Sequence, residues 1–387
     1  MTSPRALPDF PWDSLAPYKE RASLFAGGTG AGGTGAAGGI VDLSVGTPVD
    51  PTPEVVQEAL RAAADAPGYP QTYGTPQLRE AVAAWFARRR GVPDLDPDGV
   101  LPTIGSKELV AWLPTLLGLG EGDIVGFPGV AYPTYDVGAR LAGARPQVVD
   151  GLAALGPLTA ATTPKLLWLN SPSNPTGRVL GVDHLAKVVD WARHHGVVVA
   201  SDECYAELDW REGAGDNAAP TTPSILDPRV CGGSRDGLLA VYSLSKQSNL
   251  AGYRAAFVAG DVSLVRRLLE VRKHAGMIVP WPVQQALTVA LGDDVHVAEQ
   301  KARYAARRAT LRAAVERFGL RVDHSDAGLY LWATRGEDCW ATVDAMAARG
   351  ILVAPGSFYG EAGREHVRIA LTATDERIGA AAERLAG

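Results

Sequence analysis

One lysine in the sequence is surrounded by groups that bind anions. Lys246 follows Ser243 and Ser245 in "YSLSKQSNLAGYR", and Arg254 comes eight positions after the lysine. The serine hydroxyls can donate hydrogen bonds and the guanidinium is a permanent cation, so together they suit a phosphate dianion. A desolvated lysine beside a cation has a lowered pKa, and its neutral amine can form a Schiff base with an aldehyde. A ligand with both a phosphate and an aldehyde suggests pyridoxal 5'-phosphate.

That cofactor needs a carboxylate beside its pyridine nitrogen and donors beside its phenolic oxygen. Asp202, in "VVVASDECY", ends an apolar run where an unpaired carboxylate would be costly. Asn174 and Tyr205 are the candidate donors. Each residue also has an ordinary explanation, because Lys246 could be a snorkelling cation, Asp202 a helix cap, and Asn174 part of a turn.

The elements that must position these residues alternate between short apolar runs and helical stretches. "TPQLREAVAAWFARRRG" predicts a helix with Thr75 as N-cap, Pro76 in the first turn and Gly91 as the stop. The predicted strands are "VLPTIGS", "DIVGFPG", "KLLWLNSP", "VVVASDE", "GLLAVYSLS" and "YRAAFVAG". Continuous apolar runs are typical of parallel strands buried on both faces. Ligands of such sheets bind beyond the carboxyl ends of the strands, which directs attention to Ser106, Lys107, Asn174, Asp202, Ser243, Ser245 and Lys246.

The pattern changes after about Pro280, where a long amphipathic stretch leads into shorter alternating segments and a terminal helix. We predict three parts: residues 1–39 as an N-terminal arm and glycine-rich linker that joins the small domain, 40–280 as a large cofactor-binding domain, and 281–387 as a small C-terminal domain. The tract "AGGTGAGGTGAAGG" at 26–39 precedes a strand instead of following one, so we interpret it as a flexible linker and not a phosphate loop. Whether the N-terminal arm closes over the site is left open.

Composition narrows the classes of partner. The 387 residues are 46% hydrophobic, and 37 basic against 43 acidic residues give a net charge of -6 without a long basic run. Nucleic-acid and membrane partners are therefore not indicated, and we expect small-molecule substrates. The N-terminal stretch has no apolar run of signal-peptide type, so we expect a cytoplasmic protein. Cys204, Cys231 and Cys339 are far apart, so neither a disulfide framework nor a metal site is expected.

Three motifs in order carry a resemblance to a known family. "NSPSNPTG", "SDECY" and "SLSKQSNLAGYR" resemble the signature of the fold-type I aminotransferases of classes I and II, and the similarity runs from "LSVGTPVDPTP" to "HVRIALT". The resemblance implies the PLP-dependent transferase (aspartate aminotransferase-like) fold, an α/β architecture with a large, mostly parallel-sheet domain and a smaller C-terminal α/β domain. It also implies pyridoxal 5'-phosphate as cofactor and a homodimer as the working unit.

The resemblance assigns a role to each matching residue. Lys246 would carry the cofactor and move protons, Asp202 would pair with the pyridine nitrogen, and Asn174 and Tyr205 would bind the phenolate oxygen. The groups that would hold the phosphate are Ser106, Lys107, Ser243, Ser245 and Arg254. Tyr132 would stack on the ring, although a core role is as common for such a tyrosine. Tyr69 would reach the phosphate of the neighbouring subunit.

A separate set of residues would hold the substrate. Arg368 would clamp the α-carboxylate with its bidentate fork, with Asn174 beside it, and Gly46 would bring its backbone near the same carboxylate. Without the resemblance, Arg368 would be interpreted as a surface cation and Gly46 as a turn glycine. A second acidic group on the substrate would need another cation or donor, for which Lys107, Arg335 and Gln284 are candidates.

The stretch "SKQSNLAGYRAAFVAGD" is most similar to the N-succinyldiaminopimelate aminotransferases of lysine and diaminopimelate biosynthesis. We therefore expect glutamate as donor and N-succinyl-2-amino-6-oxopimelate as acceptor. The alternatives are an aspartate- or alanine-type aminotransferase and a carbon–sulfur β-lyase with the same cofactor. A transcriptional regulator on this fold would need a DNA-binding domain for which the chain has no room, and the glycine tract is badly placed for a plain nucleotide-binding protein.

Overall fold

The computed structural model describes residues 7–25, 38–155, 158–159, 161–211 and 222–386. Most of the glycine-rich tract at 26–39 therefore lies outside the described residues. In the ranges that are described, no helix is both long and apolar enough to cross a membrane.

Strands and helices alternate along the chain as predicted. In the described ranges the strands are β1 (Val41–Asp42), β2 (Val100–Ile104), β3 (Ile124–Phe127), β4 (Arg145–Val148), β5 (Leu166–Asn170), β6 (Val198–Asp202), β7 (Leu238–Ser243), β8 (Ala255–Gly260), β9 (Arg321–Val322), β10 (Tyr330–Thr334), β11 (Ile351–Leu352), β12 (Ala354–Pro355) and β13 (His366–Ala370). The α-helices of the same ranges are α1 (Ala16–Ser23), α2 (Glu54–Ala62), α3 (Pro76–Arg90), α4 (Ser106–Leu116), α5 (Thr134–Ala142), α6 (Val182–His195), α7 (Pro228–Cys231), α8 (Val262–Ala275), α9 (Trp281–Gly292), α10 (Val295–Arg317), α11 (Cys339–Ala347) and α12 (Asp375–Ala386).

The large sheet has the order β2-β8-β7-β6-β5-β3-β4 among the described residues. Its pairings are parallel except that β8 is antiparallel to both of its neighbours. β7 and β8 are buried at every position, as their continuous apolar sequences predict. The edge strand β4 was not predicted, because its sequence "RPQV" is polar and contains a proline, which only an edge tolerates.

Helix α3 shows how local sequence sets the limits of an element. The Thr75 side chain accepts a hydrogen bond from the Leu78 amide at 3.1 Å, Pro76 occupies the first turn, and Gly91 ends the helix at a φ of 69°. All three signals were predicted, and each satisfies or avoids an unpaired backbone group at a helix end.

The C-terminal part forms a second sheet, β12-β13-β10-β9, whose pairings are antiparallel. Its core also contains Val41 and Leu43, because β1 pairs with β11. Helix α9, by contrast, packs in the core of the large sheet. The proposed division at residues 39/40 and 280/281 stays a prediction, and core packing associates β1 with the C-terminal part and α9 with the large sheet.

Strand register brings distant motifs to one edge. Asn170 at the end of β5 lies opposite Asp202 at the end of β6, and Asp202 lies opposite Val241 of β7. Since all three strands are parallel, the segments that follow them leave the sheet at the same edge. Asn174, Asp202 and Lys246 are therefore brought together by topology.

Candidate active site

A cavity of about 500 Å³ opens at this edge of the large sheet. It contains nearly all of the predicted site residues, namely Gly46, Ser106, Lys107, Tyr132, Asn174, Asp202, Tyr205, Ser243, Ser245, Lys246, Arg254 and Arg368. They come from both sheets and from the loop that follows β1, so the cavity lies where the two cores meet.

Lys246 lies in the loop between β7 and β8, and its Nζ donates to the carbonyl oxygen of Gly46. Burial lowers the pKa of Lys246; the charges of Arg368 and Arg254 lower it further, while Tyr330 opposes them. A lysine in these surroundings has more of the neutral, nucleophilic amine than an exposed one.

One end of the cavity is built to hold an anion. Helix α4 begins at Ser106 without a side-chain cap, so the amides of its first turn have no cap as partner. The hydroxyls of Ser243 and Ser245 lie 2.7 Å apart beside them. The guanidinium of Arg254 occupies the space that a side chain at Gly105 would fill, and Gly105 has a φ of 75° that glycine accepts readily.

Lys107 adjoins this end from the first turn of α4. Burial and then the nearby charge of Arg254 lower the pKa of Lys107. Two cations close enough to affect each other are stabilised by an anion between them.

Asp202 is a buried carboxylate that lines the same cavity. Its two carboxylate oxygens accept hydrogen bonds from the Tyr135 hydroxyl at 3.0 Å and from the Cys204 amide at 3.2 Å. Burial raises the pKa of Asp202, although these hydrogen bonds oppose the shift. Among the described residues Asp202 has no ion pair, so a cation bound beside it would relieve the cost of burying its charge.

Arg368 is the second buried charge in the cavity, with 3% of its surface exposed. Its guanidinium donates to Asn174 Oδ1 at 3.1 Å and to the Ser44 carbonyl at 2.7 Å, and it lies 3.9 Å from the centre of the Tyr330 ring. Its Nε has no hydrogen-bond partner, and no carboxylate of the described residues pairs with it. An arginine kept in this state is suited to a ligand carboxylate.

Two tyrosines link the lysine and the arginine. The hydroxyls of Tyr205 and Tyr330 lie 3.1 Å apart. Burial raises the pKa of Tyr330, but the charges of Arg368 and Lys246 and the hydrogen bond with Tyr205 outweigh burial and lower it. Burial raises the pKa of Tyr205 well above its ordinary value. The Tyr330 ring also fills the space where a side chain at position 46 would lie, so Gly46 is required there.

Several residues of the site were not predicted from the sequence: Phe10, Trp12, Thr47, Cys204 and Tyr330 line the cavity, and the Tyr135 hydroxyl donates to Asp202. A tyrosine in an apolar strand or helix is typical of a protein core, so Tyr330 in β10 and Tyr135 in α5 carried no distinguishing signal. Phe10 and Trp12 show that the N-terminal arm reaches the site.

Three predicted residues lie elsewhere. Tyr69 is fully exposed and does not line the cavity. Arg335 and Gln284, suggested as contacts of a second acidic group on the substrate, do not line the cavity. Arg335 approaches Glu337 at 3.5 Å and packs on a phenylalanine ring, whereas Gln284 is fully buried. The Gln284 side chain forms hydrogen bonds with backbone groups of residues 71, 75 and 279.

The chemistry of these groups fits pyridoxal 5'-phosphate. Its phosphate matches the uncapped first turn of α4 with the neighbouring hydroxyls and cations, its aldehyde matches the Lys246 amine, and its protonated pyridine nitrogen matches Asp202, which lacks a cation. Arg368 would remain for the substrate, because it has no anionic partner.

Comparison with known proteins gives a consistent result. The family model of class I and II aminotransferases matches residues 39–385. OxyQ of Streptomyces rimosus, named as a 4-dedimethylamino-4-oxo-anhydrotetracycline transaminase, is 58% identical over 382 residues, which are 98% of this chain and 99% of that protein. A protein of Mycobacterium tuberculosis named as a probable aminotransferase is 60% identical over 380 residues, which are 98% of this chain and 85% of that protein.

A solved structure from Thermus thermophilus, described as a probable N-succinyldiaminopimelate aminotransferase, has a TM-score of 0.81 and 29% identity, and the match covers 97% of this chain and 99% of that one. The predicted fold and cofactor are confirmed. The chain belongs to the class I and II aminotransferases, a family of pyridoxal 5'-phosphate-dependent enzymes.

Proposed function

We propose that the protein transfers an amino group between glutamate or 2-oxoglutarate and a second keto substrate, and that it works as a homodimer. The observation that carries this proposal is one cavity that contains a lysine of lowered pKa, a buried aspartate without a cation and a buried arginine without an anion. These three groups match the aldehyde, the pyridine nitrogen and the substrate carboxylate of a transamination.

The bound cofactor would supply an electron sink for the carbanion formed at the substrate Cα. Arg368 would hold the α-carboxylate, with Asn174 fixing the guanidinium through the 3.1 Å hydrogen bond. The Lys246 amine, whose pKa is lowered by burial, would in its neutral form accept the proton from the substrate Cα and deliver it to the C4' carbon of the cofactor. Asp202 would keep the pyridine nitrogen protonated.

For the acceptor, the sequence resemblance supports N-succinyl-2-amino-6-oxopimelate, which would give N-succinyl-LL-2,6-diaminopimelate. The structural similarity to the Thermus thermophilus protein agrees with that assignment. A second candidate is a larger oxo compound, favoured by the 58% identity to OxyQ along nearly all of both chains. The aspartate- or alanine-type aminotransferase and the carbon–sulfur β-lyase remain the alternatives, and the experiments below test them together with these two acceptors.

The first experiment is the absorbance spectrum of the protein loaded with cofactor, before and after addition of glutamate. We expect a visible band that glutamate removes and that is absent from Lys246→Ala, which should lose at least about 10²-fold in activity. A band that glutamate leaves unchanged would overturn glutamate as donor, and pyruvate release from cystathionine would then identify a lyase. If no band forms even with added cofactor, the proposed function is wrong.

The kinetic pattern gives an independent test. One site serves donor and acceptor in turn. Double-reciprocal plots of initial rate against acceptor concentration, measured at several glutamate concentrations, should therefore give parallel lines. Intersecting lines would contradict this scheme. The same assay ranks N-succinyl-2-amino-6-oxopimelate, oxaloacetate and pyruvate by kcat/KM.

A further inference from the structure

A second cavity, which we call the outer chamber, adjoins the catalytic cavity and has a volume of about 730 Å³. It is bounded by residues 7–12 of the N-terminal arm, by the segment 127–137 and by the loop 357–362. The two cavities share Phe10, Trp12, Lys107 and Tyr132. A substrate bound at Arg368 could therefore extend past these residues into the outer chamber.

Aromatic rings form much of the wall between arm and loop. The centre of the Trp12 ring lies 5.5 Å from that of Phe10, 5.2 Å from that of Phe358 and 6.2 Å from that of Tyr359. The Trp12 Nε1 and the Tyr359 hydroxyl are buried without a hydrogen-bond partner, and Tyr359 is only 3% exposed. Buried donors without partners are costly, and a ligand with a carbonyl or hydroxyl oxygen would satisfy them.

The charges around the chamber disfavour an anionic ligand. Its described lining contains one cation, Lys107, and four carboxylates, those of Asp9, Asp136, Asp150 and Glu361. Lys107 also borders the anion-binding end of the catalytic cavity. A carboxylate on the far part of a substrate would thus meet mainly like charges, and its desolvation would go uncompensated.

Exposed arginines nearby neutralise two of these carboxylates, which leaves Asp9 and Asp150 as the other acidic groups of the described lining. Arg140 pairs with Asp136 at 2.8 Å, and Arg364 pairs with Glu361 at 2.7 Å. Both guanidiniums lie outside the chamber lining and already have acidic partners.

The volume of the outer chamber also favours a large ligand. A volume of about 730 Å³ lies in the range that holds drug-sized ligands, which is far more than glutamate needs. We propose that the outer chamber binds the distal part of a ring-containing acceptor, that this part is uncharged and mostly apolar, and that Trp12, Phe358 and Tyr359 form the aromatic wall around it. This inference rests on the proposed transamination and selects the larger oxo compound over the N-succinyl keto acid.

A matched pair of acceptors tests the inference. With glutamate as donor, 3-(biphenyl-4-yl)-2-oxopropanoate should be aminated with a kcat/KM about tenfold or more above that of its 4'-carboxy derivative, because only the derivative brings a second carboxylate into the chamber. Equal values, or a preference for the derivative, would overturn the proposal.

Charge substitutions at Val137 test whether the preference between the two acceptors arises in the outer chamber. Val137 lines the outer chamber from α5 and does not line the catalytic cavity. Val137→Glu should lower kcat/KM for the biphenyl acceptor, and Val137→Lys should raise kcat/KM for the 4'-carboxy derivative. The control is Val295→Glu, the same substitution at an exposed valine that does not line the chamber, which should leave both values as in the parent protein.

The glutamate half-reaction separates the two hypotheses. If glutamate removes the cofactor band but the acceptor pair is not distinguished, the chamber proposal fails and the transamination stands. If glutamate itself has no effect on the band, the proposed function fails. A Val137→Lys variant that does not shift the preference between the two acceptors would likewise reject the chamber as the binding site.

Discussion

At the scale of single residues, the site is defined by charges that the protein buries and leaves unpaired. Arg368 lies between tyrosine rings without a carboxylate, and Asp202 lies at a strand end without a cation. Burying an unpaired charge is costly, so such residues persist where a ligand completes the pair. Here the two charges differ in sign and lie in the same cavity, which is what a ligand with a cationic ring nitrogen and a substrate carboxylate requires.

Replacement of Arg368 tests the carboxylate clamp. Arg368→Lys keeps the charge but loses the planar fork, so we expect kcat/KM for glutamate to fall by about 10²-fold, mainly through KM. The cofactor band should form normally, because Arg368 is assigned to the substrate. Steady-state kinetics measure the change, and Arg312→Lys, at a partly exposed arginine on α10 outside the cavity, is the matched control. A loss of the band instead of glutamate binding would contradict this role.

The lysine itself should affect stability in a pH-dependent way. Burial lowers the pKa of Lys246 below its ordinary value of 10.5, so between the two values the unfolded chain binds more protons than the folded one. Stability of the cofactor-free protein therefore rises with pH through this window, and the lysine is destabilising below it. Lys246→Met should be more stable than the parent at pH 7, with a difference that shrinks as the pH approaches about 10.

Urea unfolding of the cofactor-free proteins at a series of pH values measures this difference. Lys187→Met, at an exposed lysine of α6, is the control and should show no such trend. A difference that grows with increasing pH would have the wrong sign and would reject the lowered pKa.

At the scale of elements, the lysine loop is tied to helix α10 and to the segment after β1. The Ser248 hydroxyl lies 2.8 Å from His296, which in turn lies 3.0 Å from Asp293. Asn249, with a φ of 53°, donates to Gln300 at 2.9 Å and to the backbone of the segment after β1. These hydrogen bonds hold the loop that carries Lys246 in one conformation.

The crossing of the segment after β1 with β10 leaves no room at position 46. A methyl group in Gly46→Ala would meet the Tyr330 hydroxyl and ring, so we expect a loss of about 1–3 kcal/mol in the free energy of unfolding. The loss should be smaller in a Tyr330→Phe background, because the closest contact is removed. Urea unfolding measures the four proteins of this cycle.

Gly181→Ala is the control for this cycle, because its new methyl group would meet nothing within 4 Å. An equal cost of Gly46→Ala in both backgrounds would show that Tyr330 is not the neighbour that excludes a side chain.

At the scale of the whole molecule, two cores meet around the site and buried ion pairs brace the large one. Helix α3 is joined to the segment after β6 by Arg89 with Glu207 at 2.6 Å and by Arg90 with Glu203 at 3.0 Å. Tyr69, in contrast, is fully exposed just before that helix. An exposed aromatic residue outside the cavity of its own chain is free to contact a second copy, as the proposed homodimer requires.

Subunit mixing tests whether Tyr69 acts across the interface. Lys246→Ala chains have no functional lysine, and Tyr69→Phe chains should bind cofactor about tenfold more weakly. If Tyr69 serves the partner's site, a mixed dimer regains one intact site, and at a cofactor concentration too low to load Tyr69→Phe sites random pairing should restore about a quarter of the parent activity. Each variant treated alone is the control. A mixture that shows only the average of its two components would place Tyr69 in its own subunit or outside the site.

Much of this arrangement could be predicted from the sequence alone, because it depends on short-range patterns. Alternating apolar runs and helix signals specify the strands of a mostly parallel sheet, and such a sheet necessarily places the ends of β5, β6 and β7 at one edge. Lys246, Asp202 and Asn174 follow those strands in separate motifs, so their proximity follows from the topology. The helix limits at Thr75 and Gly91 are likewise local backbone chemistry.

Other features depended on which distant surfaces pack together. Tyr330 and Trp12 lie far apart in the sequence and look like ordinary core residues, yet packing of the second sheet and the N-terminal arm against the large sheet brings both to the cavity. Gln284 and Arg335 looked free to bind a substrate, but Gln284 hydrogen-bonds to the backbone of distant residues and Arg335 approaches Glu337 outside the cavity. The outer chamber exists only where arm, segment 127–137 and loop 357–362 converge. Such convergence depends on long-range packing, which local pattern and propensity do not encode.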